Sequence, residues 1–498
     1  MKTLSHKVTQ MIKSAIALTV MAATLSSCAE TTAKTAKRVD ERPNILVILT
    51  DDMGYADVGF NGSPDIKTPN LDQLAAGGTV MTSAYTAHPF CGPSRAGLMT
   101  GRYPHMFGSQ FNLPTNKDSA GLGIPVEETY MSSVLQSAGY RTGLVGKWHL
   151  GEAPEYHPNN RGFDDFYGFL NGGHSYFPEK FVKTYNNLRA QGRDNTIFQY
   201  LRPLEHNGKE VEVTKYLTDD LSDKASRFIT ESSKVDKPFF LYLAYNAPHT
   251  PLEATEEDMA QFPHIKNKKR KIYAGMVYAV DRGVGQIVET LKQTGQYENT
   301  LIVFFSDNGG KTKAGANNHP LKGSKGDTLE GGFRTPMFFH WPQQIKGGDT
   351  YHHVISALDF YPTFAHLANA AIPAEKKVDG VNLWPAFTKG ESARPGKSLF
   401  AMRHRYGYSD VSIRRDNFKA QLYGNGQWKL FDVHNDPAET TDLAAQYPIL
   451  LRELVEDGEI WSWQHAKPKW FHIHKEGFDW REKSMPRFHE TFAIDRAN

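Results

Sequence analysis

Apolar positions along this chain come in two rhythms. Asn44–Thr50, Pro238–Tyr245 and Thr300–Ser306 are continuous apolar runs rich in β-branched and aromatic residues. Unalternated runs of this length predict parallel strands covered on both faces. Two of them stop abruptly in oxygen-bearing residues, Asp51-Asp52-Met53-Gly54 after the first and Asp307-Asn308-Gly309-Gly310 after the third. Arg141–Val145 predicts another strand. Thr68–Gly77 has a helix start, helical apolar spacing and a terminal glycine; Glu127–Gly139, Leu217–Ile229, Arg270–Leu291 and Asp359–Ala368 share that spacing. Strands alternating with helices predict an α/β fold, a large mostly parallel sheet sandwiched by helices, with ligands collecting at the strands' carboxyl ends.

Beyond about Pro385 the rhythm changes. Ser398–Met402, Val411–Ile413, Lys419–Tyr423 and Trp428–Val433 are short strand candidates separated by turns, predicting a smaller antiparallel sheet. The expected partition is a catalytic domain over 42–385 and a smaller C-terminal α+β domain and tail over 386–498. The last fifty residues, rich in aromatics and histidines, show no usable period.

With 498 residues and 39% hydrophobic content, the chain can build a large core. The N-terminus stands apart. Lys2, Lys7 and Lys13 precede an apolar run, Ala15–Leu25, too short to span a membrane comfortably and ending in Leu25-Ser26-Ser27-Cys28. This resembles a bacterial lipoprotein signal, which implies cleavage of residues 1–27, lipidation of Cys28 and a flexible tether over 28–41. An ordinary secretion signal is the alternative. Both readings export the body; the first anchors it by lipid to a bacterial membrane, at the periplasm or cell surface. Removing residues 1–27 takes three lysines and no acid from a net charge of +2, leaving −1, so the charge balance excludes a basic nucleic-acid binder.

One run carries most of the chemical information: His88-Pro-Phe-Cys91-Gly-Pro-Ser-Arg95-Ala-Gly-Leu-Met-Thr-Gly-Arg102. It resembles the signature in which sulfatases convert a cysteine to formylglycine. In the same order stand Pro43–Gly54, Gly146-Lys147-Trp148-His149-Leu150-Gly151, Asn246-Ala-Pro-His249-Thr-Pro251, Ser306–Gly310 and Lys325-Gly-Asp-Thr-Leu-Glu-Gly-Gly-Phe-Arg334. Together these resemble the formylglycine-dependent sulfatases of the alkaline-phosphatase-like superfamily, and N-acetylgalactosamine-4-sulfatases in particular.

The resemblance implies a calcium site (magnesium being possible) formed by Asp51, Asp52, Asp307, Asn308 and the modified Cys91. Hard cations prefer such oxygen donors. It implies Cys91 as nucleophile after conversion by a maturation enzyme, and Arg95 fixing the hydrated aldehyde. Lys147 and Lys325 are implied as sulfate ligands, His149 as the base that collapses the sulfated intermediate, and His249 as a sulfate contact that helps protonate the departing alcohol. Pro93 suits the first turn of a helix, so Cys91 is expected at a helix N-terminus, which favours anions. With Cys28 assigned to lipid and Cys91 to this signature, no disulfide is expected.

Asn317-Asn-His-Pro-Leu-Lys322, Gly309-Gly310, Ala314-Gly315 and the Arg161–Gly168 run carry the likeness to the 4-sulfatases, although those enzymes have tryptophan where this chain has His319. His174, His319 and Lys322 are expected at the substrate mouth. The expected substrate is a sulfated polysaccharide or oligosaccharide, galactose-type and carrageenan-like. Two other classes remain: a phosphodiesterase or phosphonate monoester hydrolase on the same fold, and a non-catalytic glycan-binding lipoprotein.

Overall fold

The computed structural model describes residues 41–114, 121–405, 408–424, 426–473 and 475–477. The expected signal, Cys28 and the tether up to residue 40 lie outside the described residues. No helix among the described residues is long and apolar enough to cross a membrane.

Among the described residues sixteen strands form three sheets: β1 Asn44–Thr50, β2 Thr79–Met81, β3 Ala84–Tyr85, β4 Arg141–Lys147, β5 Asp165–Phe169, β6 Leu204–His206, β7 Lys209–Val211, β8 Phe239–Ala244, β9 Thr300–Ser306, β10 Met337–His340, β11 Asp349–Tyr351, β12 Ile355–Ser356, β13 Leu399–His404, β14 Ser409–Arg415, β15 Phe418–Leu422 and β16 Lys429–Asp432. The large sheet runs β11-β2-β10-β9-β1-β8-β4-β5-β6-β7. Its centre, β9-β1-β8-β4-β5, is parallel throughout, and antiparallel β10 and β6 flank that centre on its two sides.

The continuous apolar runs have their physical reason here. β1 alternates its side chains between two cores: Ile45, Val47 and Leu49 join one face with Phe240, Val303 and Phe364, while Leu46 and Ile48 join the other with Leu243, Phe304 and Val280. The helices Leu217–Ser232 and Lys268–Gln293 cover the second face. The helix expected over Glu127–Gly139 is shorter, Met131–Ser137. Arg161 claims the carbonyls of Pro125 and Glu128 at 3.1 and 2.8 Å, and the Glu128 carboxylate pairs with Arg102 and Lys376, so the first residues are held as a turn.

The four short strands after Pro385 form the expected antiparallel sheet, β13-β14-β15-β16, backed by a helix over Pro448–Ser462. Buried charge docks this sheet against the rest. Lys419, fully buried, bridges Glu330 at 3.1 Å and Glu439 at 2.9 Å, and Glu439 also accepts the Glu330 backbone N–H. Glu330 lies in the stretch that follows Lys325.

Behind the Cys91 signature, four buried histidines gather from both parts of the chain. The His105 ring stacks on His465 at 4.7 Å and lies 5.6 Å from His88 and 5.9 Å from His404; Trp461 closes the group. Arg403 is the cation acting on His88. Burial pushes His88 and His404 down to about 3, and holds His105 and His465 well below their ordinary range. Because these groups titrate lower in the folded state, the unfolded chain takes up protons first as pH falls. Their contribution is therefore complete above the unfolded histidine value of about 6.5 and is lost as pH falls toward about 3. We expect the unfolding midpoint, followed by scanning calorimetry, to fall from pH 6.5 to 4, and His105→Phe to make that dependence shallower.

Candidate active site

Parallel pairing sets the carboxyl ends of β9, β1, β8 and β4 side by side on one sheet edge. Each strand delivers chemistry there. β1 runs into Asp51 and Asp52, β9 into Asp307 and Asn308, β8 into the loop carrying His249, and β4 ends at Lys147 with His149 two residues on. Between the last two, Trp148 packs into the core against Tyr130 and Phe163. Asp52 and His149 have φ of 66° and 68°, the left-handed region that non-glycine residues seldom adopt, and such strain clusters at functional sites. A Cβ on Gly309 would lie 1.9 Å from the Gly331 carbonyl oxygen, so only glycine allows the Lys325 segment to fold back onto β9.

Cys91 opens the buried helix Cys91–Thr100 on one face of this edge. Arg95, one turn along, donates from Nε to Asp307 at 2.8 Å and from Nη1 to the Lys147 carbonyl at 3.0 Å; its Nη2 is 3.5 Å from Asp51. Lys147 pairs with Asp51. Lys325 Nζ is 2.5 Å from Asp52 Oδ1 and 3.9 Å from Cys91 Sγ. His249 turns Nδ1 to the Thr250 carbonyl at 2.6 Å and Nε2 toward Asp52 at 3.8 Å. That carbonyl fixes the proton on Nδ1 and leaves the Nε2 lone pair facing the carboxylates.

Burial alone would raise the Asp51 carboxyl, but Lys147, His249, Arg95 and Lys325 override it and hold it well below the ordinary range. Asp307 is raised, by burial and by the charge of Asp51. Burial works against the Lys325 ammonium, yet Asp52 keeps it charged to unusually high pH. Burial lowers His249 to about 4 and His149 well below its ordinary value, so both rings are neutral at pH 7.

The sulfatase family pattern matches residues 43–370, and that for the C-terminal part of N-sulphoglucosamine sulphohydrolase matches 325–455. This chain belongs to the sulfatase family. The sulfatase is 36% identical to the uncharacterized sulfatase YdeN of Escherichia coli over 72% of its own length and 68% of that protein's. It is 33% identical to the N-acetylgalactosamine-6-sulfatase of Mus musculus, over 79% and 75%. Among solved structures it resembles Ps i-CgsB, known free and in complex with k-i-k-neocarrahexaose, at 56% identity and a TM-score of 0.88 over 90% of this chain and 98% of that one. It is a sulfuric ester hydrolase.

The donor set fits a hard divalent cation. Asp51 Oδ1, Asp52 Oδ2, Asp307 Oδ1 and Asn308 Oδ1 are all buried with no hydrogen-bond partner. Asn308 spends its Nδ2 donor on Asp52 and on the Gly309 carbonyl, which leaves its amide oxygen for a ligand. Four orphaned oxygens from two strand ends are costly unless a cation or water meets them. His249 is also close: its ligand atom and those of Asp51 and Asp52 lie within 4.8 Å of one another. The oxygen-rich set favours calcium or magnesium over softer metals.

All six residues expected to act in catalysis, and all five expected metal ligands, stand at this edge. Two residues expected at the substrate mouth, His319 and Lys322, are exposed on the loop leading to Lys325. The third, His174, needs correction. It is fully buried between Phe169 and Phe181, with its ring nitrogens on the Ser175 and Arg202 carbonyls at 2.7 and 2.8 Å. An apolar cage and two backbone partners make it part of the core.

Sequence reasoning missed Tyr200, which lies against Gly173 with its ring 6.3 Å from that of His249, and Asn112, whose Oδ1 accepts the Gly92 N–H at 2.9 Å beside Cys91 Sγ at 3.8 Å. Neither occupies a motif. If the orphaned oxygens await a cation, calcium added to metal-stripped protein raises the unfolding midpoint. At 100 times Kd the gain is about 2.7 kcal/mol. Asp307→Asn is expected to abolish most of that gain.

Proposed function

We propose that this sulfatase hydrolyses sulfate esters on a sulfated galactose-type polysaccharide or oligosaccharide of carrageenan-like chemistry. In this reading residue 91 is matured to formylglycine by a maturation enzyme, and Asp51, Asp52, Asp307, Asn308 and residue 91 hold calcium. The carrying observation is residue 91 itself, at a buried helix N-terminus, facing the Lys325 ammonium and the strand-end carboxylates. The sugar class rests on the likeness to Ps i-CgsB, whose complex holds k-i-k-neocarrahexaose. Once matured, the side chain as a hydrated aldehyde would supply one hydroxyl to attack sulfur as the S–O bond to the sugar oxygen breaks, and a second whose deprotonation would restore the aldehyde as the C–O bond to sulfate breaks.

The chain's own residues then divide the work. Arg95 cannot swing, since Asp307 and the Lys147 carbonyl fix its fork, so it orients residue 91. The helix N-terminus, Lys147 and Lys325 balance charge building on sulfuryl oxygens. Lys325 arrives protonated and beside residue 91, which suits it to the leaving oxygen. His249 arrives neutral and must gain a proton at Nε2 before it can donate one; the nearby Asp52 and Asp51 favour that gain. His149, held neutral with Nδ1 unpartnered, is in the form that accepts a proton.

The export signal and lipid at Cys28 complete the proposal, placing the enzyme on a bacterial membrane facing the periplasm or exterior. Peptide mass analysis of active enzyme is expected to show residue 91 converted, and Cys91→Ala to cost at least about 10⁴-fold in turnover. A fully active enzyme with an intact thiol would end the reading. Aryl sulfate should be turned over in preference to aryl phosphate. On a panel of 2-, 4- and 6-sulfated sugars, activity confined to 6-sulfated glucosamine would exclude the galactose-type substrate.

A further inference from the structure

Residues 465–473, near the end of the described part of the chain, lie beyond both family matches, which end at 370 and 455. It runs as a strap along the loop 105–113. Ala466 N donates to the His105 carbonyl at 2.8 Å and Lys469 N to Gly108 at 2.9 Å. Gln110 Nε2 returns a bond to the Ala466 carbonyl at 3.1 Å. Trp470 Nε1 donates to the Phe111 carbonyl at 2.8 Å and His472 Nδ1 to that of Leu113 at 3.0 Å. The last two bonds bracket Asn112. Ring contact between Phe111 and Phe471 at 5.0 Å and the buried Trp470 add apolar grip on the same loop.

Asn112 is what this loop delivers. The helix that opens with Cys91 follows Phe90, whose side chain makes no capping bond. Its early N–H groups therefore need an acceptor from elsewhere. Asn112 Oδ1 takes the Gly92 N–H at 2.9 Å and stands 3.8 Å from Sγ of residue 91. A Cβ on residue 92 would lie 2.7 Å from that same oxygen, so glycine is what lets Asn112 come this close. One carboxamide oxygen thus sets the first turn of the nucleophile's helix and faces its reactive group.

We infer that Asn112 is a positioning residue for residue 91, and that the strap 465–473 holds it in place. This rests on residue 91 being the nucleophile. Displacing a nucleophile by about 1 Å can cost roughly 100-fold in rate, whereas loss of a helix cap alone lowers stability and leaves turnover per folded molecule unchanged.

The test uses full-length enzyme co-produced with the maturation enzyme: wild type, Asn112→Ala, Asn112→Asp and Trp470→Phe. Peptide mass gives the converted fraction at residue 91, and kcat and KM on an aryl sulfate are expressed per converted site. The rate of aminooxy labelling at residue 91 gives a readout independent of turnover. Asn112→Ala is expected to lower kcat roughly 10- to 100-fold with a much smaller change in KM, and to speed labelling. Asn112→Asp, which keeps an acceptor for the Gly92 N–H, recovers most of the lost kcat. Trp470→Phe, which removes the N–H donated to Phe111 together with part of the buried ring, shifts kcat and labelling in the same direction to a lesser extent. Equal kcat and labelling in Asn112→Ala and wild type overturns the inference. Should that variant not fold, unchanged values in Trp470→Phe overturn it alone. An unconverted Cys91 in active wild type would instead strike the reading of residue 91, leaving the two failures distinct.

Discussion

Three carboxylates buried at the ends of two neighbouring strands repel one another, and the site depends on how the fold offsets that repulsion. At 4 Å two unit charges interact by about 4 kcal/mol at an effective dielectric of 20. Lys147 answers Asp51, Lys325 answers Asp52, and Arg95 answers Asp307. Each cation comes from a different segment, so the charge balance holds only when β1, β4, β9, the Cys91 helix and the Lys325 loop are all in place. Removing one member of such a buried pair typically costs about 3–5 kcal/mol, because the other is left uncompensated. The groups suited to bind an anion are thus the same groups that make the strand ends tolerable.

The C-terminal sheet extends this dependence outward. The Lys325 segment continues into Glu330, and Glu330 is locked by Lys419 and by the Glu439 carboxylate. The loop 105–113 reaches the site from the other side and is secured by residues 465–473. Both walls of the catalytic edge are therefore braced by residues that follow Pro385, although none of the strand-end chemistry comes from there.

The legible parts of the sequence were those where one physical signal dominates. β1 and β9 have the bounds that their apolar runs predict, since strands buried on both faces tolerate no polar interruption. The carboxyl-end acids could be read because parallel pairing leaves them nowhere else to go. The helix Pro178–Ala190 gave no such signal: only Pro178 and Phe181 are buried, so it has no apolar stripe. His174 was misplaced because a histidine near a loop looks the same whether its ring faces solvent or two carbonyls. Asn112 and the strap were invisible for a related reason. Their bonds run mostly through backbone carbonyls, which every residue type possesses.

The central strand of the large sheet is also the first one made. β1 lies between β8 and β9, and Asn308 meets Asp52 across 256 positions of sequence. Contacts this distant are slow to form, because a large loop must close before they reward the chain. A growing polypeptide therefore carries its cysteine helix through 212 further positions before Arg95 can meet Asp307. A product truncated before the ninth strand has neither Asp307 nor Asn308 beside its cysteine helix, whatever has happened to its residue 91.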